Sequence, residues 1–127
     1  MERYFDKKEM KKIIKLYYKE EEKLDVKVKL VARYDQELSD FFGKFIASPC
    51  VLVKTNNKYQ EINNDRVKYI VGKVLNGWDY KVNDVTFNTS VSEYLDIPKF
   101  TGMTVSFNLN LDNNKNKVLS RNNKPSK

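Results

Sequence analysis

Residues 51–78, VLVKTNNKYQEINNDRVKYIVGKVLNGW, leave the chain few choices. Val51 to Lys54 and Tyr59 to Ile62 read as two short strands, and Asn56-Asn57 between them tolerates the positive φ of a tight turn. The period then changes. Val67, Ile70, Val71, Val74, Leu75 and Trp78 recur at the spacing of one helix face. Asn63 or Asn64 supplies the N-cap, and Asn76-Gly77 the stop. Several β-branched residues oppose this helix, as does Gly72, which costs about 1 kcal/mol relative to Ala, but the spacing outweighs them. A hairpin followed by an amphipathic helix is therefore the expected centre of the core.

The second strong pattern lies at the start. Asp6-Lys7-Lys8-Glu9 has the form of a capping box, an Asp cap with Glu three residues on. It predicts a helix from Lys7 to Leu24. Met10, Ile13, Ile14, Tyr17 and Leu24 fall on one side of it. Lys8, Lys11, Lys12, Lys15, Lys19 and Lys23 fall in another sector, about 120° wide at 100° per residue. Glu22 is the one acid among them.

Between these units, Val26 to Tyr34 alternates as a strand. Val26, Val28, Leu30, Ala32 and Tyr34 form its apolar face, while Lys27, Lys29, Val31 and Arg33 form the other. Leu38, Phe41, Phe42 and Phe45 fit a short helix packed on the core, ending near Gly43. Ala47-Ser48-Pro49 reads as a loop. After Trp78, a second hairpin is expected with Asn83-Asp84 as its turn and Val85-Thr86-Phe87 as its return strand. Thr89 to Leu95 reads as a helical turn ended by Asp96-Ile97-Pro98. Met103, Val105, Phe107, Leu109 and Leu111 alternate with polar residues, giving a strand with one buried face and one wet face. The expected fold is α+β: two layers, with a largely antiparallel sheet, the N-terminal amphipathic helix and the central helix packed on it. Residues 1–111 form a single domain in this reading, and 112–127 a basic flexible tail.

The residue types exclude much chemistry. The chain has no histidine and a single cysteine, Cys50. Ser-His and Cys-His nucleophiles, zinc knuckles and most zinc or iron sites are thereby removed. The four glycines form neither a phosphate loop nor a dinucleotide fingerprint. Asp35, Glu37 and Asp40 cluster in sequence, which suits either a divalent metal or, as we expect, an acidic first helical turn. No catalytic residue, cofactor or metal is predicted. The N-terminal residues lack the apolar stretch of a signal peptide, and no apolar run approaches a membrane span. A cytoplasmic protein is expected, and the Asn88-Thr89-Ser90 sequon carries no weight in that setting.

Charge is the remaining signal. The net charge is +7. Residues 1–34 carry +4 and residues 112–127 another +4, whereas 35–111 sum to −1. An excess confined to a helix and a tail suits a polyanionic partner. The leading expectation is a non-catalytic protein that binds nucleic acid or a nucleoprotein, or an acidic protein surface. Its contacts would come from Lys8, Lys11, Lys12, Lys15, Lys19 and Lys23, with Lys115, Lys117, Arg121 and Lys124 of the tail. Lys outnumbers Arg 20 to 4, and there are 14 Asn, a bias of AT-rich coding. This suits the alternative of a small phage or mobile-element inhibitor or adaptor that binds a host protein. A metal-independent, ribonuclease-like enzyme is the third reading, with Arg33, Tyr34, Arg66 and Tyr69 as its candidates. Tyr18, Tyr59 and Tyr80 are candidates to stack on bases or anchor an interface.

Overall fold

Asp6 ties the first strand to the first helix. The computed structural model describes residues 1–91 and 97–110. In it Asp6 ends strand β1 (Glu2–Asp6) and caps helix α1 (Lys7–Glu21). Its Oδ1 accepts from the Glu9 N–H at 2.8 Å, and Glu9 Oε1 accepts from the Asp6 N–H at 3.2 Å, so the capping box is complete. Met10, Ile13, Ile14, Tyr17 and Tyr18 are the buried residues of α1. The helix ends three residues before its predicted limit: Lys23 turns left-handed at φ 57°, and Leu24 is exposed rather than part of the core face.

The chain continues through β2 (Lys27–Tyr34), α2 (Gln36–Phe42), β3 (Ala47–Lys54), β4 (Tyr59–Ile62), α3 (Asn64–Asn76), β5 (Tyr80–Val91) and β6 (Pro98–Leu109). The strands make two antiparallel three-stranded sheets, ordered β1-β6-β5 and β2-β3-β4. The fold is α+β as expected, with the strands divided between two sheets. β2 lies against β6 and β3 against β5, while α1 packs on α3, β2 and β6. One hydrophobic cluster takes residues from both sheets and from α1 and α3.

The hairpin-plus-helix unit forms as predicted. β3 and β4 pair Lys54 with Tyr59 around a turn in which Asn57 takes φ 61°. Asn63 caps α3 by accepting the Arg66 N–H at 2.8 Å. Val67, Ile70, Val71, Val74 and Leu75 are buried. Trp78 is not: it is 41% exposed. The stop also differs in detail. Gly77 remains right-handed at φ −65°, and the left-handed residue is Asp79, at φ 70°.

Five other expectations are corrected. Asn83-Asp84 is not a hairpin turn, because residues 80–91 are one strand with a register shift between Val82 and Asp84. A bulge and a turn draw on the same residue types, and here the long β6 partner keeps the strand running. Thr89, Ser90 and Val91 belong to that strand rather than to a helical turn, and the rest of that turn lies outside the described residues. Residues 47–49, read as a loop, pair with β2. The short helix α2 forms, but it does not bury its aromatic side. Leu38, Phe41, Phe42 and Phe45 are exposed, and the inward residue is Ser39, whose Oγ accepts from the Ile46 N–H at 2.9 Å. Ala32 and Tyr34 likewise stop short of burial.

Strand β1 has no counterpart in the sequence reading. It brings Phe5 into the core and pairs Asp6 with Gly102. Gly102 has φ 155°, and a Cβ there would overlap the Phe5 carbonyl oxygen and the Tyr4 ring. Only glycine permits this close approach of the strands.

Candidate polyanion-binding surface

The basic face of α1 follows from the burial of its opposite side. With the apolar side of α1 against α3 and the sheets, Lys8, Lys12, Lys15 and Lys19 are exposed and Lys11 half-exposed. From Lys8 to Lys19 the helix rises about 16 Å at about 1.5 Å per residue. Glu22, the acid expected among the lysines, turns instead to Arg66, with Oε2 3.5 Å from Nη2. Among the described residues, no lysine of α1 has a carboxylate within ion-pair distance. Lys23 stands beyond the helix, where its Nζ donates to the Glu20 carbonyl at 2.9 Å. Lys12, Lys15 and Lys19 line a shallow groove of about 310 Å³ with Leu16, Asp25 and Val26. Its lining combines three lysines with the apolar Leu16 and Val26, and Asp25 is its single acid. Around the helix a second groove, about 380 Å³, includes Lys12, Leu16 and Trp78. Lys115, Lys117, Arg121 and Lys124 lie outside the described residues.

The Arg and Tyr candidates separate into two groups. Arg66 Nη2 donates to the Tyr17 hydroxyl at 3.0 Å, and its guanidinium lies 5.2 Å from the centre of the Tyr69 ring. Arg33 instead gives one nitrogen to both oxygens of Glu61, at 2.7 and 2.8 Å. This hydrogen bond holds the Arg33 guanidinium firmly charged. Tyr34 packs against Phe45. Among the described residues, no hydrogen bond, ion pair or ring contact joins the two groups into a common site.

The carboxylates of α2 are also dispersed. Asp35 caps the helix, with Oδ1 accepting from the Leu38 N–H at 2.9 Å, while Oδ2 accepts from the Ser48 hydroxyl at 3.1 Å. Asp40 accepts from Gln36 Nε2 at 2.8 Å. Among the described residues, no three His, Cys, Asp or Glu side chains are gathered closely enough to hold a metal ion. No helix among them is long and apolar enough to cross a membrane.

The structure also exposes a surface that sequence patterns divided among three segments. Register places Lys27, Lys54 and Tyr59 in one row across β2, β3 and β4, and Lys29, Leu52 and Glu61 in the next. The Lys29 Nζ lies 4.5 Å from the centre of the Tyr59 ring and the Lys54 Nζ 5.6 Å from it. Cys50 belongs to the same side of β3, paired with Val31 and set against Glu61. It is 2% exposed, and burial pushes its thiol pKa up. Burial likewise raises the Tyr18 hydroxyl, with Glu22 adding to the effect.

Compared with protein families, with curated proteins and with solved structures, the chain matches none. The functional reading rests on this geometry alone.

Proposed function

We propose that the protein is a non-catalytic binding protein for nucleic acid or a nucleoprotein, with the basic face of α1 as its phosphate contact. One observation carries the reading: Lys8, Lys12, Lys15 and Lys19 share an outward helix face, and among the described residues none of them has a carboxylate within ion-pair distance. Ammonium groups presented this way contact phosphates without reading bases, so binding is sensitive to salt and weakly selective for sequence. The tail residues Lys115, Lys117, Arg121 and Lys124 add charge of the same sign. A mobility-shift assay at low salt with single-stranded DNA, duplex DNA and RNA tests the proposal. A shift that fades as salt rises is expected, and no shift with any of the three overturns it.

A second reading, a small inhibitor or adaptor that binds a protein, is favoured by α2. Phe41 is 80% exposed and Phe42 58%, beside exposed Leu38 and Phe45. Contiguous exposed apolar side chains of this kind mark protein contacts. The expected result is a partner that stays bound through nuclease treatment and is lost in the Phe41→Ser/Phe42→Ser variant.

A further inference from the structure

The outward face of the β2-β3-β4 sheet is a second basic surface, with a tyrosine ring set directly between two ammonium groups. We infer that this face binds single-stranded nucleic acid, with Tyr59 stacking on a base and Lys29 and Lys54 holding the flanking phosphates. The inference rests on the nucleic-acid reading of α1 and narrows its substrate class.

Three observations support it. First, the tyrosines are not equivalent. Tyr18 is buried in the core. Tyr80 is stacked on Phe107 at 4.2 Å between ring centres, and its hydroxyl accepts from Arg3. Tyr59 is half-buried on an open sheet face, and its ring is flanked by two ammonium groups. Second, the charge is right for a polyanion. Lys27, Lys29 and Lys54 accompany Tyr59 in two adjacent rows, and the nearby Glu61 is taken up by Arg33. Third, the ground between the charges is apolar: Val31 is 37% exposed and Leu52 is half-buried on the same side. An aromatic ring with apolar neighbours and surrounding cations meets the two requirements of an unpaired strand, a stacking platform and phosphate partners. A duplex has its base faces covered and gains only from the charges.

Fluorescence anisotropy with a labelled 12-nucleotide oligothymidine strand and a 12-base-pair duplex tests this on the full chain. The variants are Tyr59→Ala, Lys29→Gln/Lys54→Gln and, on α1, Lys12→Gln/Lys15→Gln/Lys19→Gln. Tyr59→Ala is expected to weaken single-strand binding about tenfold, the size of one base–aromatic stack, and to leave duplex binding unchanged. Lys29→Gln/Lys54→Gln, whose substitutions lie on the outward face, supplies the same test should Tyr59→Ala fail to fold. It is expected to weaken single-strand binding more than duplex binding. If the sheet-face variants bind the single strand as the wild type does while the α1 variant loses affinity, the inference is overturned and the α1 reading stands. If the wild-type chain binds neither oligonucleotide, both fall.

Discussion

The two basic surfaces are built in opposite ways. The α1 face comes from one segment: a capping box sets the start, apolar residues at helical spacing choose the buried side, and the lysines take what remains. The β2-β3-β4 face needs three segments in register, so that Tyr59 from one strand meets Lys54 across the turn and Lys29 two strands away. A surface carried by one helix depends on that helix docking correctly. A surface carried by a sheet depends on strand pairing. The two therefore respond differently to damage, and substitutions can separate them.

The largest expected effect is on the helix. Replacing Lys12, Lys15 and Lys19 by Gln removes three phosphate partners and should weaken binding about a hundredfold in 0.1 M salt. A loss below twofold, measured by anisotropy, would transfer the leading role to the sheet face.

Next comes the joint between β1 and β6. Gly102→Ala forces a Cβ against the Phe5 carbonyl and the Tyr4 ring and should cost about 1–3 kcal/mol, read from the urea midpoint. Asp6, which caps α1, pairs with this glycine, so the substitution also tests whether α1 is anchored through β1. Unchanged stability would mean that the strands can separate there without consequence. Asp6→Ala removes only the cap and should cost about 1 kcal/mol. Equal costs for the two variants would erase the distinction between local and long-range support of the helix.

The smallest effect concerns alkali. Cys50 and Tyr18 both have folded pKa values above their unfolded ones, which favours the neutral forms in the folded chain. The contribution is fully present below the unfolded values and declines as pH rises through them, from about pH 9 upward. Urea midpoints at pH 8 and pH 10 should show a decline that is smaller in Cys50→Ala, since one of the two groups is gone. An equal decline in that variant would show that the thiol takes no part.

These differences also explain what could be read from the sequence. The α1 stripe, the α3 core face and the β3-β4 turn depend on residues within a few turns of one another, and the spacing of Met10, Ile13 and Ile14 or of Val67, Ile70 and Val71 was enough. β1 was hidden because Glu2 to Asp6 is too short to show a period and its partner β6 is about a hundred residues away in the chain. Asn83-Asp84 suggested a turn because local composition does not distinguish a bulge from a reversal. Leu38, Phe41 and Phe42 suggested burial because periodicity identifies an apolar side and says nothing of whether another element covers it. Tyr59 could be named as a stacking candidate, but its lysine neighbours come from other strands, and only register brings them together.

The most direct test of the central claim is the salt dependence of oligonucleotide binding by the wild type and by Lys12→Gln/Lys15→Gln/Lys19→Gln. On single strands, the variant's plot of log K against log salt should be shallower by about 2, as expected for three lost phosphate contacts at about 0.7 each. Parallel plots, or a wild-type chain that binds no nucleic acid even at low salt, would contradict the account.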